Sequence, residues 1–230
     1  MDRDLGTAWV VTGTDTGVGK TVVTAAVAAA LRARGIDVRA IKPVESGVTP
    51  GANTDALLLG LAAGHPPLCF RSFAEPLSPH LAAERAGVIV SPAELLAWVL
   101  AERSAMTLVE GAGGWSVPLC RDEDRLFTLA DLAVALSAGV VLVARNRLGV
   151  LNHTALTVDA IRARGLVVAR LVVTPGEAGL AESLNVAELS RMFPGIPVVE
   201  IGVVDPASVA SLVRTGEAVI GSPSGWLLTP

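Results

Sequence analysis

A chain of 230 residues with 51% hydrophobic and 17% charged content excludes disorder and permits a sizeable core. Its net charge of -4 offers no basic face for nucleic acid, and its longest charge-free window, residues 56–70, contains Pro66 and Pro67 and falls short of the ~20 apolar residues that cross a bilayer. Four Phe, four Trp and no Tyr make the core aliphatic, and Arg supplies all the basic residues except Lys20 and Lys42.

Short apolar runs at residues 9–11, 38–41, 107–109, 140–143, 166–173 and 197–201 read as strands. Between them, Ala- and Leu-rich stretches of helical period at 20–34, 56–63, 93–102, 129–136, 151–164, 181–192 and 207–215 read as helices. Strands that are apolar throughout belong to a sheet covered on both faces, and strand-helix alternation implies parallel pairing. The expectation is one P-loop-type α/β domain over residues 1–230, doubly wound, with a mostly parallel sheet and helices on both faces. Gly35, Gly165 and Gly216 each follow an expected helix end, where a left-handed residue closes the last turn.

Ligands of such sheets bind beyond the carboxyl ends of the strands, so the residues there are the candidates for chemistry. The first strand runs into Gly13-Thr14-Asp15-Thr16-Gly17-Val18-Gly19-Lys20-Thr21 and then a helix. A glycine-rich turn turns backbone N–H groups toward phosphate, and the helix N-terminus adds partial positive charge. Lys20 would reach the β and γ phosphates and the Thr21 hydroxyl would ligate Mg²⁺. Five residues separate Gly13 from Gly19-Lys20, one more than usual, so this is a phosphate loop of modified spacing.

The second strand, expected beside the first, ends in Lys42-Pro43-Val44-Glu45-Ser46-Gly47. In an arginine-rich chain a compact ammonium points to a charge aimed at a phosphate or another anion; a solvated surface lysine is the alternative. Ser46 can hydrogen-bond the same ligand, and Glu45 reads as a solvated acid or a partner for Lys42. Asp55 heads a helix, as metal ligand or as N-cap. Glu110 follows the strand at 106–109 and precedes Gly111-Ala112-Gly113-Gly114, placed to hold Mg²⁺ together with Thr21 and Asp55.

The phosphate loop, Lys42 to Gly47, Asn53-Thr54-Asp55, Phe73 to His80, Glu110 to Trp115 and Leu148 to His153, in this order along nearly the whole chain, resemble dethiobiotin synthetases. The resemblance implies an ATP- and Mg²⁺-dependent ligase of biotin biosynthesis that joins CO₂ to 7,8-diaminononanoate as a cyclic urea, through a carbamate and its phosphoric anhydride. It implies catalytic roles for Lys20, Lys42, Thr16 and Ser46, and nucleotide contacts from Gly17, Val18, Gly19, Lys20, Thr21, Val22, Asp55, Glu110, Gly111, Ala112 and Gly113. The far part of the nucleotide falls to the backbone near 172–175 and 202–204, including Thr174, Pro175, Gly202, Val203 and Val204. The diamine falls to Thr16, Lys42, Ser46 and Pro79. Its distant carboxylate goes to the helix end Gly149-Val150-Leu151-Asn152 of a second subunit, which implies a homodimer with the site at its interface. Members of the family often read adenine with an Asn where this chain has Leu171, which implies relaxed base selection and use of other nucleoside triphosphates. His80, with no partner to make it a base, reads as part of a Pro-initiated turn.

Three other readings are weaker. A related P-loop ATPase acting as a switch or positioning protein carries a second lysine within the loop, and residues 14–18 have none. A GTPase reads guanine with an Asn-Lys-x-Asp or Thr-Lys-x-Asp segment, for which no lysine remains. A nucleotide-binding module leaves Lys42 and Ser46 unexplained. Cys69 and Cys120, in no metal or redox spacing, suit a reducing cytoplasm, and the charged start at Asp2, Arg3 and Asp4 gives no expectation of a secretory leader.

Overall fold

A computed structural model describes residues 7–49, 51, 53–123 and 125–221, so the expected domain over 1–230 reaches past the described residues at both ends. In chain order the elements are β1 (Thr7–Gly13), α1 (Lys20–Ala33), β2 (Val38–Ile41), β3 (Val44–Ser46), α2 (Asp55–Ala63), β4 (Arg71–Phe73), α3 (Pro79–Arg85), α4 (Pro92–Ala101) and β5 (Met106–Gly114). Then follow β6 (Pro118–Asp122), β7 (Arg125–Thr128), α5 (Leu129–Ala135), β8 (Gly139–Arg145), α6 (Val150–Ala163), β9 (Val168–Thr174), α7 (Leu180–Met192), β10 (Val198–Glu200) and α8 (Val209–Ile220).

Six strands form one sheet in the order β10-β9-β8-β1-β5-β2, and every pairing in it is parallel. Alternate residues of each strand enter different cores. Val10 of β1 joins Leu142, Leu171, Leu129, Ile161 and Leu189 on the face covered by α5, α6 and α7, whereas Trp9 and Val11 join α1, α2 and α8 on the other. Both sides of the inner strands are therefore largely buried, which explains the unbroken apolar runs. The doubly wound α/β expectation holds.

The order of strands corrects one expectation. β2 lies beside β5, not beside β1; the neighbours of β1 are β5 and β8. β5 also runs on through Glu110 to Gly114, pairing Val11 with Glu110 and Gly13 with Gly114, so Glu110 lies inside a strand and not after it. Two small sheets carry no apolar-run signal: the parallel pair β3 and β4, and the antiparallel pair β6 and β7. Their strands are three to five residues long, which leaves little periodicity to read.

Gly35 and Gly165 have φ near +75°, as a left-handed helix end requires. Gly216 does not end a helix: α8 continues to Ile220, and Gly216 lies within it against α1. A Cβ there would stand 1.9 Å from the Ala26 carbonyl oxygen and 2.7 Å from Ala30 Cβ, so glycine is what lets the two helices meet. Gly216→Ala gains about 1 kcal/mol of helix propensity yet overpacks this contact, and a net loss of about 2 kcal/mol is expected in urea unfolding. An unchanged or raised midpoint would contradict the close approach.

Candidate active site

The loop between β1 and α1 ends at Gly19, whose φ of 92° is open to few residues other than glycine. No side chain caps α1, so its first N–H groups remain available to an anion. A cavity of about 370 Å³ opens there, lined by Thr16, Gly17, Gly19, Lys20, Thr21, Val22, Lys42, Glu45, Ser46, Asp55, Glu110, Ala112 and Gly113. Residues expected to contact phosphate, metal and diamine thus converge from four parts of the chain.

Strand register builds its centre. Ile41 pairs with Val109, so the next residues, Lys42 and Glu110, stand side by side. Lys42 Nζ lies 2.6 Å from Glu110 Oε1 and 2.8 Å from Asp55 Oδ2, and it donates to the Gly111 carbonyl at 3.3 Å. The surface-lysine alternative fails, since Lys42 is buried. Burial works against its charge, but Glu110 and Asp55 outweigh that and hold its pKa above the usual lysine value. For Asp55 burial is likewise overcome by Lys42, which lowers its pKa. Lys20 is different: burial, then the neighbouring charge of Lys42, pulls it down to about 8. Its Nζ folds back to donate to the Asp15 carbonyl at 3.0 Å.

Glu110 is fully buried, and Thr21 Oγ1 donates to its Oε1 at 2.8 Å. Its Oε2 is buried without a hydrogen-bond partner among the described residues. A buried carboxylate oxygen left free beside a hydroxyl and a second carboxylate is a hard-oxygen donor set, and Mg²⁺ takes one or two carboxylates with phosphate and water. The residues therefore fit the metal. Among the described residues no three His, Cys, Asp or Glu side chains cluster as a metal cage, which Mg²⁺ does not require.

Ser46 Oγ donates to the Leu77 carbonyl at 2.6 Å, tying β3 to the segment before α3. Thr16 is exposed at the cavity mouth, and its N–H donates to the Asp15 carboxylate at 2.7 Å, which Arg147 also holds at 2.9 Å. Pro79 is buried in the first turn of α3 and does not line the cavity. His80 lines a different one and meets Ser78 Oγ at 3.2 Å.

A second cavity of about 400 Å³ adjoins the loop and is lined by Gly17, Val18, Gly19, Val22, Arg145, Thr174, Pro175, Gly176, Ile201, Gly202, Val203 and Val204. Of the expected stretch 172–175 only Thr174 and Pro175 reach it, because Val172 and Val173 are core residues. Leu171 is wholly buried on the sheet face covered by α5 to α7, so no side chain at that position of this strand faces the cavity. Asn146, at the end of β8, lies nearby with its amide already engaged: it donates to the Glu182 carbonyl at 3.0 Å and accepts from Asn185 at 2.9 Å. Gly149, φ 94°, opens α6 without a side-chain cap, but residues 149–152 line neither cavity and Val150 is buried in the core.

Sequence reasoning left Glu45 unassigned. It is buried, with its Oε1 accepting from the Asp55 N–H at 2.6 Å, and burial raises its pKa. Its only signal in the sequence is an acid two residues past the Lys42-Pro43 step.

An AAA domain model matches residues 7–209. The ATP-dependent dethiobiotin synthetase BioD of Anaeromyxobacter sp. (strain Fw109-5) is 48% identical over 199 residues, covering 83% of this chain and 87% of its own. That of Mycobacterium avium (strain 104) is 42% identical over 211 residues, 90% of this chain and 89% of its own. Among solved structures, the signal recognition particle receptor FtsY from Elizabethkingia anophelis superposes with a TM-score of 0.52 at 15% identity, over 93% of this chain and 66% of that one, a likeness of fold alone.

Proposed function

Since the chain belongs to the ATP-dependent dethiobiotin synthetases, we infer that the cavity between the phosphate loop and β3 closes a cyclic urea from CO₂ and 7,8-diaminononanoate. The protein is an ATP-dependent ligase that forms carbon-nitrogen bonds in biotin biosynthesis. The observation that carries the finer reading is the convergence of both lysines on one cavity at the uncapped end of α1.

In this reading one amine attacks CO₂ and loses a proton to give a carbamate. A carbamate oxygen then attacks the γ-phosphorus and ADP departs. The second amine attacks the carbonyl carbon of the mixed anhydride, phosphate leaves with the bonding pair, and the nitrogen sheds its proton. The carbamate, the triphosphate and the mixed anhydride are all anionic, so the chain supplies placement and charge. The loop N–H groups and Lys20 take the phosphate oxygens. Lys42 turns from its carboxylates toward the carbamate, with the Thr16 and Ser46 hydroxyls beside it. Thr21, Asp55 and Glu110 would hold Mg²⁺, which when bound would supply neutralising charge to the phosphoryl oxygens.

The site is completed by a second copy, whose α6 N-terminus receives the distant carboxylate of the diamine. In support, Leu148 and Leu156 on that segment are 82% and 63% exposed, an apolar face that a partner would cover. One domain over residues 1–230 and a reducing, cytoplasmic setting complete the proposal; Cys69 is a free thiol, and among the described residues no helix is long and apolar enough to cross a membrane. Base selection is relaxed. The cavity beyond the loop offers Pro175, Ile201, Val203 and backbone as surfaces on which a base can stack, with Arg145 and Thr174 its polar side chains.

Incubation with Mg-ATP, bicarbonate and the diamine is expected to yield the cyclic urea by mass spectrometry; folded protein giving none would contradict the reading. Lys42→Arg is expected to fold but to lose turnover on the order of 10²-fold, since a planar guanidinium cannot occupy a point-charge position. Near-native turnover would remove Lys42 from the role. Affinities for ATP, CTP, GTP and UTP are expected to fall within about tenfold of one another, a spread of about 1.4 kcal/mol, and a strong preference for ATP alone would overturn relaxed selection.

A further inference from the structure

Glu45 has no part in the reaction as described, yet it is a carboxylate only 6% exposed. It lies in β3, three residues after Lys42, and lines the same cavity. Its Oε1 accepts the Asp55 N–H at 2.6 Å. Thr54 Oγ1 takes the Leu57 N–H at 3.1 Å, and the Thr54 carbonyl takes that of Leu58 at 3.2 Å. The first four N–H groups of a helix have no partner further back within it. Two of them are engaged in α2: that of Asp55 by a side chain from ten residues upstream, and that of Leu57 by the Thr54 hydroxyl.

A buried carboxylate is costly unless donors reach it. Here the donors belong to the backbone of Asp55, whose own side chain meets Lys42 at 2.8 Å. Between the two acids the chain passes through Gly47 and Gly51, both at positive φ.

We propose that Glu45 is a positioning residue for Asp55: by clamping the first turn of α2 to β3 it sets where the Asp55 carboxylate stands against Lys42, Thr21 and Glu110. The inference rests on Asp55 serving the metal and nucleotide. It asks for the reach of a glutamyl chain and for an acceptor oxygen; it does not ask for negative charge. A Glu45 that instead bound an ammonium of the diamine would ask for the charge.

Two variants separate these demands. Glu45→Gln keeps reach and one acceptor oxygen without charge, and Glu45→Asp keeps charge but is one methylene short. Mn²⁺ titration followed by EPR with ADP present, together with the Mg²⁺ dependence of the full reaction, reads the outcome. Glu45→Asp is expected to weaken Mn²⁺ binding and raise the KM for Mg²⁺ about tenfold, the size of a lost helix cap, while the KM for the diamine stays unchanged. Glu45→Gln is expected within about threefold of the wild type, again on the helix-cap scale. The reverse pattern, with the diamine KM raised in Glu45→Gln, would overturn the proposal, as would native Mn²⁺ affinity in both variants. Absence of a nucleotide-dependent Mn²⁺ site in the wild type would instead overturn the role of Asp55, and this inference with it.

Discussion

A carboxylate with no solvent exposure needs a cation, and Glu110 finds one in Lys42, brought to it by the parallel register of β2 on β5. The pairing is 68 residues apart in sequence and 2.6 Å apart in space. Around it the remaining groups take their places: Asp55 shares the ammonium, Thr21 donates to the same carboxylate oxygen, and Glu45 holds the turn that carries Asp55. The low dielectric that makes such a cluster expensive also makes it responsive. Each charge here is neutral in effect only because of its neighbours, and an arriving polyanion or divalent cation changes the balance for all of them.

The same arrangement divides two lysines of one chain into different instruments. Lys20 has burial and a like charge against it, with only a loop carbonyl as partner, so it is a cation short of anions. Lys42 has two carboxylates within hydrogen-bond distance. A triphosphate supplies what Lys20 lacks, and a metal competes for what Lys42 holds. The ligase reading joins these two demands in one cavity, and it gives the uncapped start of α1 a purpose that helix stability alone would not.

Much of this could be read in the chain itself, for reasons that differ by element. The six sheet strands were visible because both faces of the sheet are buried, and the phosphate loop because only glycine and a short, fixed set of polar residues meet its geometry. What the chain does not announce is adjacency. Nothing in residues 38–42 says that the strand lies beside β5, and the expectation that it neighbours β1 was wrong for that reason. Gly216 looked like a helix end because a close contact and a C-terminal turn ask for the same residue; only the position of α1 distinguishes them. Leu171, where the resemblance leads one to expect an Asn, is core because its side chain falls on the sheet face packed by α5, α6 and α7. Glu45 stayed silent because a helix cap supplied from ten residues away leaves no local pattern.

With only two lysines, protein labelled with ¹³C at the lysine ε-carbon gives two signals that titrate separately by NMR. The account expects the free protein to show one lysine titrating near pH 8, assigned to Lys20 by its loss in Lys20→Met, while the other remains protonated well above the ordinary lysine range. Two lysines titrating together near the ordinary value, or Lys42 deprotonating before Lys20, would contradict a site built around an ammonium held by Glu110 and Asp55.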